Sequence, residues 1–371
     1  MTDLWPISSD ARKAAEAHPW RLRELGLDLD ALLAEEDEGE QEWRVRGLWP
    51  AGGKVVLSAP AKAGKSTLIA NLLRCLADGA PLLGPAVDGV IGDPPDHGHP
   101  VAPLARGERV FLADVELSRP MLRRWLAEQG IRRTDRIHVE MFRGRADELN
   151  VCDPTVRAQL AERIRRSGAR VIILDPVGPV LAAADLNEDS NQHVARFLLA
   201  LDSLVRESGA LELLVVHHTG HAGERSRGAS AWRAWPDAEW RLTRQGDAAD
   251  APRYFAATGR DVAVPESVVA YDAEARRLTL AGSRRERGTA QHAAAVVEAV
   301  QEAPGVVTRN LEQAVQGKTR LGTAAVRAAV AAAKASGLIH AHPGKKGALA
   351  HYVGAGSDSC SCHSTSTPEA A

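Results

Sequence analysis

One stretch constrains the fold more than any other. Lys54-Val55-Val56-Leu57-Ser58 has the continuous apolar character of a buried strand, and helical spacing of apolar residues runs from Lys65 through Leu68, Leu72, Leu73 and Leu76. Between them lies Ala59-Pro60-Ala61-Lys62-Ala63-Gly64-Lys65-Ser66, followed by Thr67. This loop matches G-x-x-x-x-G-K-[ST] everywhere except its first position, where Ala59 replaces Gly. In such a loop successive backbone N–H groups turn inward and, with the helix N-terminus, bind phosphate oxygens. Lys65 is expected to reach the β- and γ-phosphates of ATP, and Ser66 to coordinate Mg²⁺.

The strand–helix alternation repeats downstream. Arg109 to Ala113 reads as a strand, followed by a helix capped by Ser118 with Pro120 early in it. A short strand, Arg136 to Glu140, precedes a helix capped by Asp153 with Pro154 in its first turn. Val171-Ile172-Ile173-Leu174-Asp175 is a buried strand ending in a carboxylate. Asp189 to Ser208 is a helix, and Leu211 to His217 another buried strand. Strands that are apolar throughout, separated by helices, imply a parallel sheet covered on both faces. From Ala238 the pattern shifts to short β-type runs, read as an antiparallel extension.

The ends of the chain differ in charge. The first fifty residues carry 12 acidic and 6 basic side chains, and Gly288 to Val353 carries 7 Lys or Arg against 3 Glu. A polyanion is therefore expected to meet the rear of the molecule. There, after a charged linker at Arg284 to Gly288, three helical stretches precede two short strands around Gly344-Lys345-Lys346-Gly347. That order is the winged-helix arrangement. Arg320, Arg327 and Lys334 are spaced to share a face of the third helix, and Lys345 and Lys346 sit at the wing tip, so these five are the candidate DNA contacts. The expected division is an acidic N-terminal segment (1–46), poorly folded like the rest of the first fifty residues, an ATPase domain (47–283), a winged-helix domain (288–353) and a disordered tail (354–371).

Several features point away from other classes. No apolar run approaches membrane-spanning length, and Met1 to Pro6 shows no secretory signal, so a cytoplasmic protein without membrane contact is expected. The four cysteines form no disulfide framework. Residues 84–107 read as a long surface loop, with His97 and His99 solvated rather than metal-bound, and Cys360, Cys362 and His363 lack a scaffold for a metal.

Two further groups carry chemistry. Glu116, just past the strand ending at Ala113, is the leading candidate to polarise the attacking water, with Asp114 as alternative. Asp175 is expected to help hold Mg²⁺. His217 and His218 end a strand where a polar group can contact the γ-phosphate.

Together these pieces resemble the RepA-like branch of the RecA-like hexameric ATPases, which includes plasmid replicative helicases and related phage and mobile-element proteins. The matching pieces are Lys62-Ala63-Gly64-Lys65-Ser66-Thr67, Leu112-Ala113-Asp114-Val115-Glu116 with Arg123-Arg124, and Ile173-Leu174-Asp175-Pro176. They continue with Asn187-Glu188-Asp189-Ser190-Asn191, Val215-Val216-His217-His218-Thr219-Gly220 and Ser226-Arg227-Gly228-Ala229-Ser230, in family order over roughly residues 45–282. The resemblance implies an α/β RecA-like P-loop core, with the strand before Glu116 beside the phosphate-loop strand. It implies Glu116 as activating carboxylate and the His pair as γ-phosphate sensor. It also implies Arg227 acting on a neighbouring subunit's nucleotide in a homo-oligomer, expected to be a hexamer; Arg225 and Arg244 are alternatives. The expected function is an ATP-hydrolysing DNA-replication protein, helicase or initiator. A phage-type recombination ATPase and an ATP-switched DNA-binding regulator are the alternatives.

Overall fold

The computed structural model describes residues 41–84, 98–219, 230–246, 248, 251–343 and 348–355. Its centre is β3 (Lys54–Ala59), buried from Val55 onward because strands flank it on both sides. Parallel to it in one sheet run β4 (Arg109–Asp114), β5 (Ile137–Met141), β6 (Ala169–Asp175), β7 (Glu212–His218) and β8 (Ala238–Arg244). Antiparallel strands β9 (Arg253–Gly259), β10 (Ala263–Asp272) and β11 (Arg277–Ser283) extend one side, giving a nine-stranded sheet in the order β11-β10-β9-β8-β3-β7-β6-β4-β5.

Side-chain alternation explains why the parallel strands are apolar throughout. Val55, Leu57, Val171 and Ile173 face one core, with Leu68, Leu72 and Leu76 of α1 (Lys65–Asp78). Val56, Ile172 and Leu174 face the other, with Leu160 and Ile164 of α3 (Pro154–Ser167) and Phe197, Leu201 and Leu204 of α5 (Asn191–Ser208). Each strand thus needs an apolar residue at every position. The remaining α-helices among the described residues of this part are α2 (Arg119–Ala127), α4 (Gly178–Ala183) and α6 (Ala231–Ala234). Asp153 caps α3 by accepting from the N–H groups of Thr155 and Val156. Ser118 occupies the N-cap position of α2, but its side chain makes no capping bond.

Several expectations need correction. The folded core begins before residue 47. Strands β1 (Trp43–Val45) and β2 (Trp49–Pro50) form a small hairpin whose Val45, Leu48 and Trp49 are fully buried. Trp49 packs edge-on against Trp240, and Trp240 donates its indole N–H to the Leu48 carbonyl. Of the 84–107 segment, residues 85–97, with His97, lie outside the described residues. His99 is not solvated: it is buried, pairs with Leu82 and approaches the Arg46 carbonyl through Nδ1 at 3.0 Å. Leu104 is buried as well. The Arg284–Gly288 linker is instead the first part of a helix, α7 (Arg284–Glu302), which follows β11 without a break.

Beyond α7 come β12 (Val306–Val307), α8 (Thr308–Thr319), α9 (Thr323–Ala335), β13 (Ile339–Pro343) and β14 (Leu349–Val353). Short β12, which the sequence pattern does not announce, pairs with β14 and makes a three-stranded sheet in the order β12-β14-β13. Val296, Val300, Leu311, Val315, Val326, Val330 and Ile339 give this region a core of its own. Residues 344–347 and the tail from 356, with its cysteines and His363, lie outside the described residues. Among the described residues no helix is long and apolar enough to cross a membrane.

Candidate nucleotide site at the carboxyl ends of the parallel strands

Strand β3 delivers the loop at residues 59–67. Ala59 is still strand: it lies in register with His218 of β7, and its carbonyl accepts from Thr219 N–H at 3.1 Å. It is not among the residues of positive φ, so Ala serves where the motif has Gly. Lys62 (φ 60°) and Gly64 (φ 113°) make the left-handed steps that close the loop, and at Gly64 only glycine avoids strain. The next residue, Lys65, opens α1. Its buried ammonium donates to the Pro60 carbonyl at 2.8 Å and the Ala59 carbonyl at 3.2 Å. Burial pulls the Lys65 pKa down, and the charges of Asp175 and Glu116 pull it back up. Ser66 and Thr67 lie in the first turn of α1, where backbone N–H groups have no partner within the helix.

Three carboxylates converge opposite this lysine. Asp175 ends β6 and lies in register with Asp114, which ends β4. Burial, followed by the neighbouring Asp114, raises the Asp175 carboxyl to about 7, with Lys65 opposing the shift and Glu116 adding to it. Burial also raises the Asp114 pKa. Asp114 is already engaged with the backbone, since its Oδ1 accepts from the N–H groups of Leu117 at 2.8 Å and Glu116 at 3.2 Å. Val115 N–H donates to the Asp175 carbonyl and Phe142 N–H to the Asp114 carbonyl, so the turn carrying Glu116 is pinned on both sides. Glu116 itself is free to project, its side chain 58% exposed. Asp114 and Asp175 are both buried. Among the described residues no three His, Cys, Asp or Glu side chains form a metal cage by themselves, so a cation such as Mg²⁺ would need the nucleotide's phosphate oxygens beside the Asp175 carboxylate.

The histidine pair divides. His217 is buried and stacks on Trp232 of α6, with ring centroids 4.5 Å apart. Burial, with the charges of His218 and Lys65, lowers its pKa to about 4, so the ring is neutral near pH 7. His218 points the other way, its Nε2 3.7 Å from Glu116 Oε2.

The site thus brings together Lys65, Asp114, Glu116, Asp175 and His218. Strand β4 does not lie beside β3, contrary to what the family resemblance implied. β6 and β7 stand between them, because the chain passes over two strand positions that it fills later. Glu116 is nevertheless near enough for its charge to act on Lys65. Arg225 and Arg227 lie outside the described residues. Arg244 ends β8 and donates to the Ala248 carbonyl.

The basic residues of the C-terminal region differ in exposure and pairing. Arg320 is exposed in a left-handed step after α8. Arg327 is exposed on α9 and pairs with Glu312 at 3.4 Å. Lys334 is half-buried in the last turn of α9, and Lys345 and Lys346 lie outside the described residues. Sequence reading missed Trp232 and Arg253, whose side chains meet His217 and the phosphate loop. Neither carries a local signal, since each reaches its contact only through sheet topology.

The AAA_25 family, described as an AAA domain, matches residues 18–224, more than half of the 371-residue chain. No curated protein matches the sequence. Among solved structures, a KaiC-like protein from the archaeon Pyrococcus horikoshii OT3 is similar at 13% identity, with a TM-score of 0.44, covering 65% of this chain and 99% of that chain. By its family match the chain belongs to the AAA_25 family and is a RecA-like P-loop ATPase.

Proposed function

We propose that this ATPase hydrolyses ATP at the 59–67 loop and couples hydrolysis to work on DNA, as a ring-forming replication protein of helicase or initiator type. The observation that carries the hydrolytic reading is the convergence of Lys65, Asp175 and Glu116 at one end of the sheet. Backbone N–H groups of the loop and the start of α1 bind the phosphates, and Lys65 leaves its loop carbonyls to meet the β- and γ-oxygens. Ser66 and Asp175 would hold Mg²⁺, which when bound would supply positive charge to the phosphoryl oxygens. Glu116 orients a water for in-line attack and takes its proton. His218, beside Glu116, senses the γ-phosphate, and His217 is held behind the strand end by its stacking on Trp232. Arg227 completes the site on a neighbouring subunit, its planar cation offsetting charge in the transition state.

The C-terminal region, read as a winged helix, supplies a DNA contact. Its element order, with three helices and a three-stranded sheet, supports that reading. A second reading, an ATP-switched DNA-binding regulator, draws support from the direct β11-to-α7 junction, which leaves no slack between the ATPase sheet and this region. ATP-dependent unwinding of forked DNA tests the choice. Unwinding that disappears in Lys65→Ala supports the motor. Tight binding to one duplex sequence without unwinding moves the protein to the regulator class.

A further inference from the structure

The sheet from β8 through β11, whose first strand runs parallel to β3 and contradicts the expected wholly antiparallel extension from Ala238, is built against the back of the phosphate loop. A Cβ placed on Gly64 would meet Leu242 of β8 at 3.7 Å, Leu278 of β11 at 3.9 Å and Arg253 Nε of β9 at 4.0 Å. Leu242 and Leu278 are buried and give this backing an apolar floor. Among the described residues its polar contact is a hydrogen bond: Arg253 Nε donates to the Ala63 carbonyl at 3.1 Å.

The direction of that bond matters. The Ala63 carbonyl and the Gly64 N–H belong to one planar trans peptide and point opposite ways. Holding the carbonyl toward β9 therefore turns the Gly64 N–H away from the sheet extension, toward the inner side of the loop. Among the described residues that N–H donates to no protein acceptor, which leaves it for a phosphate oxygen. Gly64 needs the hold, because its φ of 113° lies where the backbone has little intrinsic preference to stay.

We propose that Arg253 is a positioning residue of the nucleotide site: by bonding the Ala63 carbonyl it presets the Ala63–Gly64 peptide, and with it one N–H of the cradle, for the nucleotide β-phosphate. The proposal rests on the reading of residues 59–67 as that cradle. A hydrogen bond formed before the ligand arrives spares the ligand the cost of ordering the peptide. It also gives β9, about 190 residues downstream of the loop, a defined part in nucleotide binding.

Three substitutions separate the bond from the charge. In Arg253→Gln the amide nitrogen falls at the position of Arg Nε, so the donor stays and the charge goes. Arg253→Met matches the glutamine in length but has no donor. Arg253→Lys keeps the charge but places carbon at that position. Binding of Mg·ADP and of AMP is measured by calorimetry on the full chain, beside melting without nucleotide. Arg253→Met and Arg253→Lys are expected to bind ADP about tenfold more weakly. Arg253→Gln should stay within about threefold of the parent. AMP affinity, which lacks the β-phosphate contact, should hold in all three.

Equal loss in the Gln, Met and Lys variants would assign the effect to charge and overturn the proposal, as would undiminished ADP binding in Arg253→Met or Arg253→Lys. A loss of AMP affinity that parallels the loss of ADP would overturn it too. If Arg253→Met does not fold, the Lys-against-Gln comparison decides. Lys65→Ala distinguishes the two levels: if it keeps full ADP affinity, the cradle reading itself fails, whereas its loss with unaffected Arg253 variants defeats only the role of Arg253.

Discussion

At Glu116 the division of labour between neighbouring carboxylates can be read from hydrogen bonds. Asp114 spends one oxygen on two backbone N–H groups, and the turn it closes aims Glu116 out of the sheet toward the phosphate loop. Asp114 therefore orients, and Glu116 is left to act on water. Glu116→Gln is expected to bind ATP normally and to hydrolyse it on the order of 10²–10⁴ times more slowly, because the amide cannot take up a proton. Asp114→Asn keeps an oxygen that can accept both N–H groups, so its turnover should stay well above that of Glu116→Gln, while Asp114→Ala loses the turn and should fall far below Asp114→Asn. Steady-state turnover of the three variants, with nucleotide affinity measured beside it, checks the assignment. The opposite order would make Asp114 the base. Sequence alone could name both carboxylates, because each lies at or just past the end of an apolar strand. It could not rank them by geometry, since the bonds that occupy Asp114 come from how the next three residues fold back.

Among the elements, the long parallel strands and amphipathic helices were legible because their patterns run for five or more residues. Hairpin β1–β2 was not, since strands of three and two residues have no period to read. Its importance comes from packing. Trp49 is fully buried, donates its indole N–H to the Gly53 carbonyl and packs against Trp240, one strand away from the phosphate-loop strand. Trp49→Ala removes a large buried ring and an internal hydrogen bond, and should cost about 3–5 kcal/mol of stability. Urea unfolding followed by circular dichroism measures it. A loss below about 1 kcal/mol would mean that the hairpin is peripheral to the fold. The β4 position shows the limit from the other side. Its existence follows from the apolar run, but its place beyond β6 and β7 is a property of crossover connections that no local pattern records.

For the whole molecule, the question is whether the basic C-terminal region contacts DNA. The charge surplus was visible in the sequence, but surplus is not availability. Arg327 pairs with Glu312 at 3.4 Å, and Lys318 with Glu298 and Glu302, so part of the positive charge is already answered within the region. Arg320 and Lys334 have no such ion pairs among the described residues. If the region binds duplex through phosphates, replacing both Arg320 and Lys334 by Gln should remove up to two phosphate contacts. Affinity should fall at low salt, and the slope of log K against log salt should become shallower by about 2 for B-form DNA. Arg327→Gln should do less, because freeing Glu312 and losing Arg327 change the local charge while removing a cation that was partly neutralised. Fluorescence anisotropy of labelled duplex across a salt series, with ATPase activity without DNA as a check on folding, gives both numbers. A double variant with unchanged slope would place the DNA contact elsewhere and leave α9 and its flanks to a protein partner. A larger effect from Arg327 than from the pair would show that the Glu312 bond opens on DNA and that Arg327 is itself a phosphate contact.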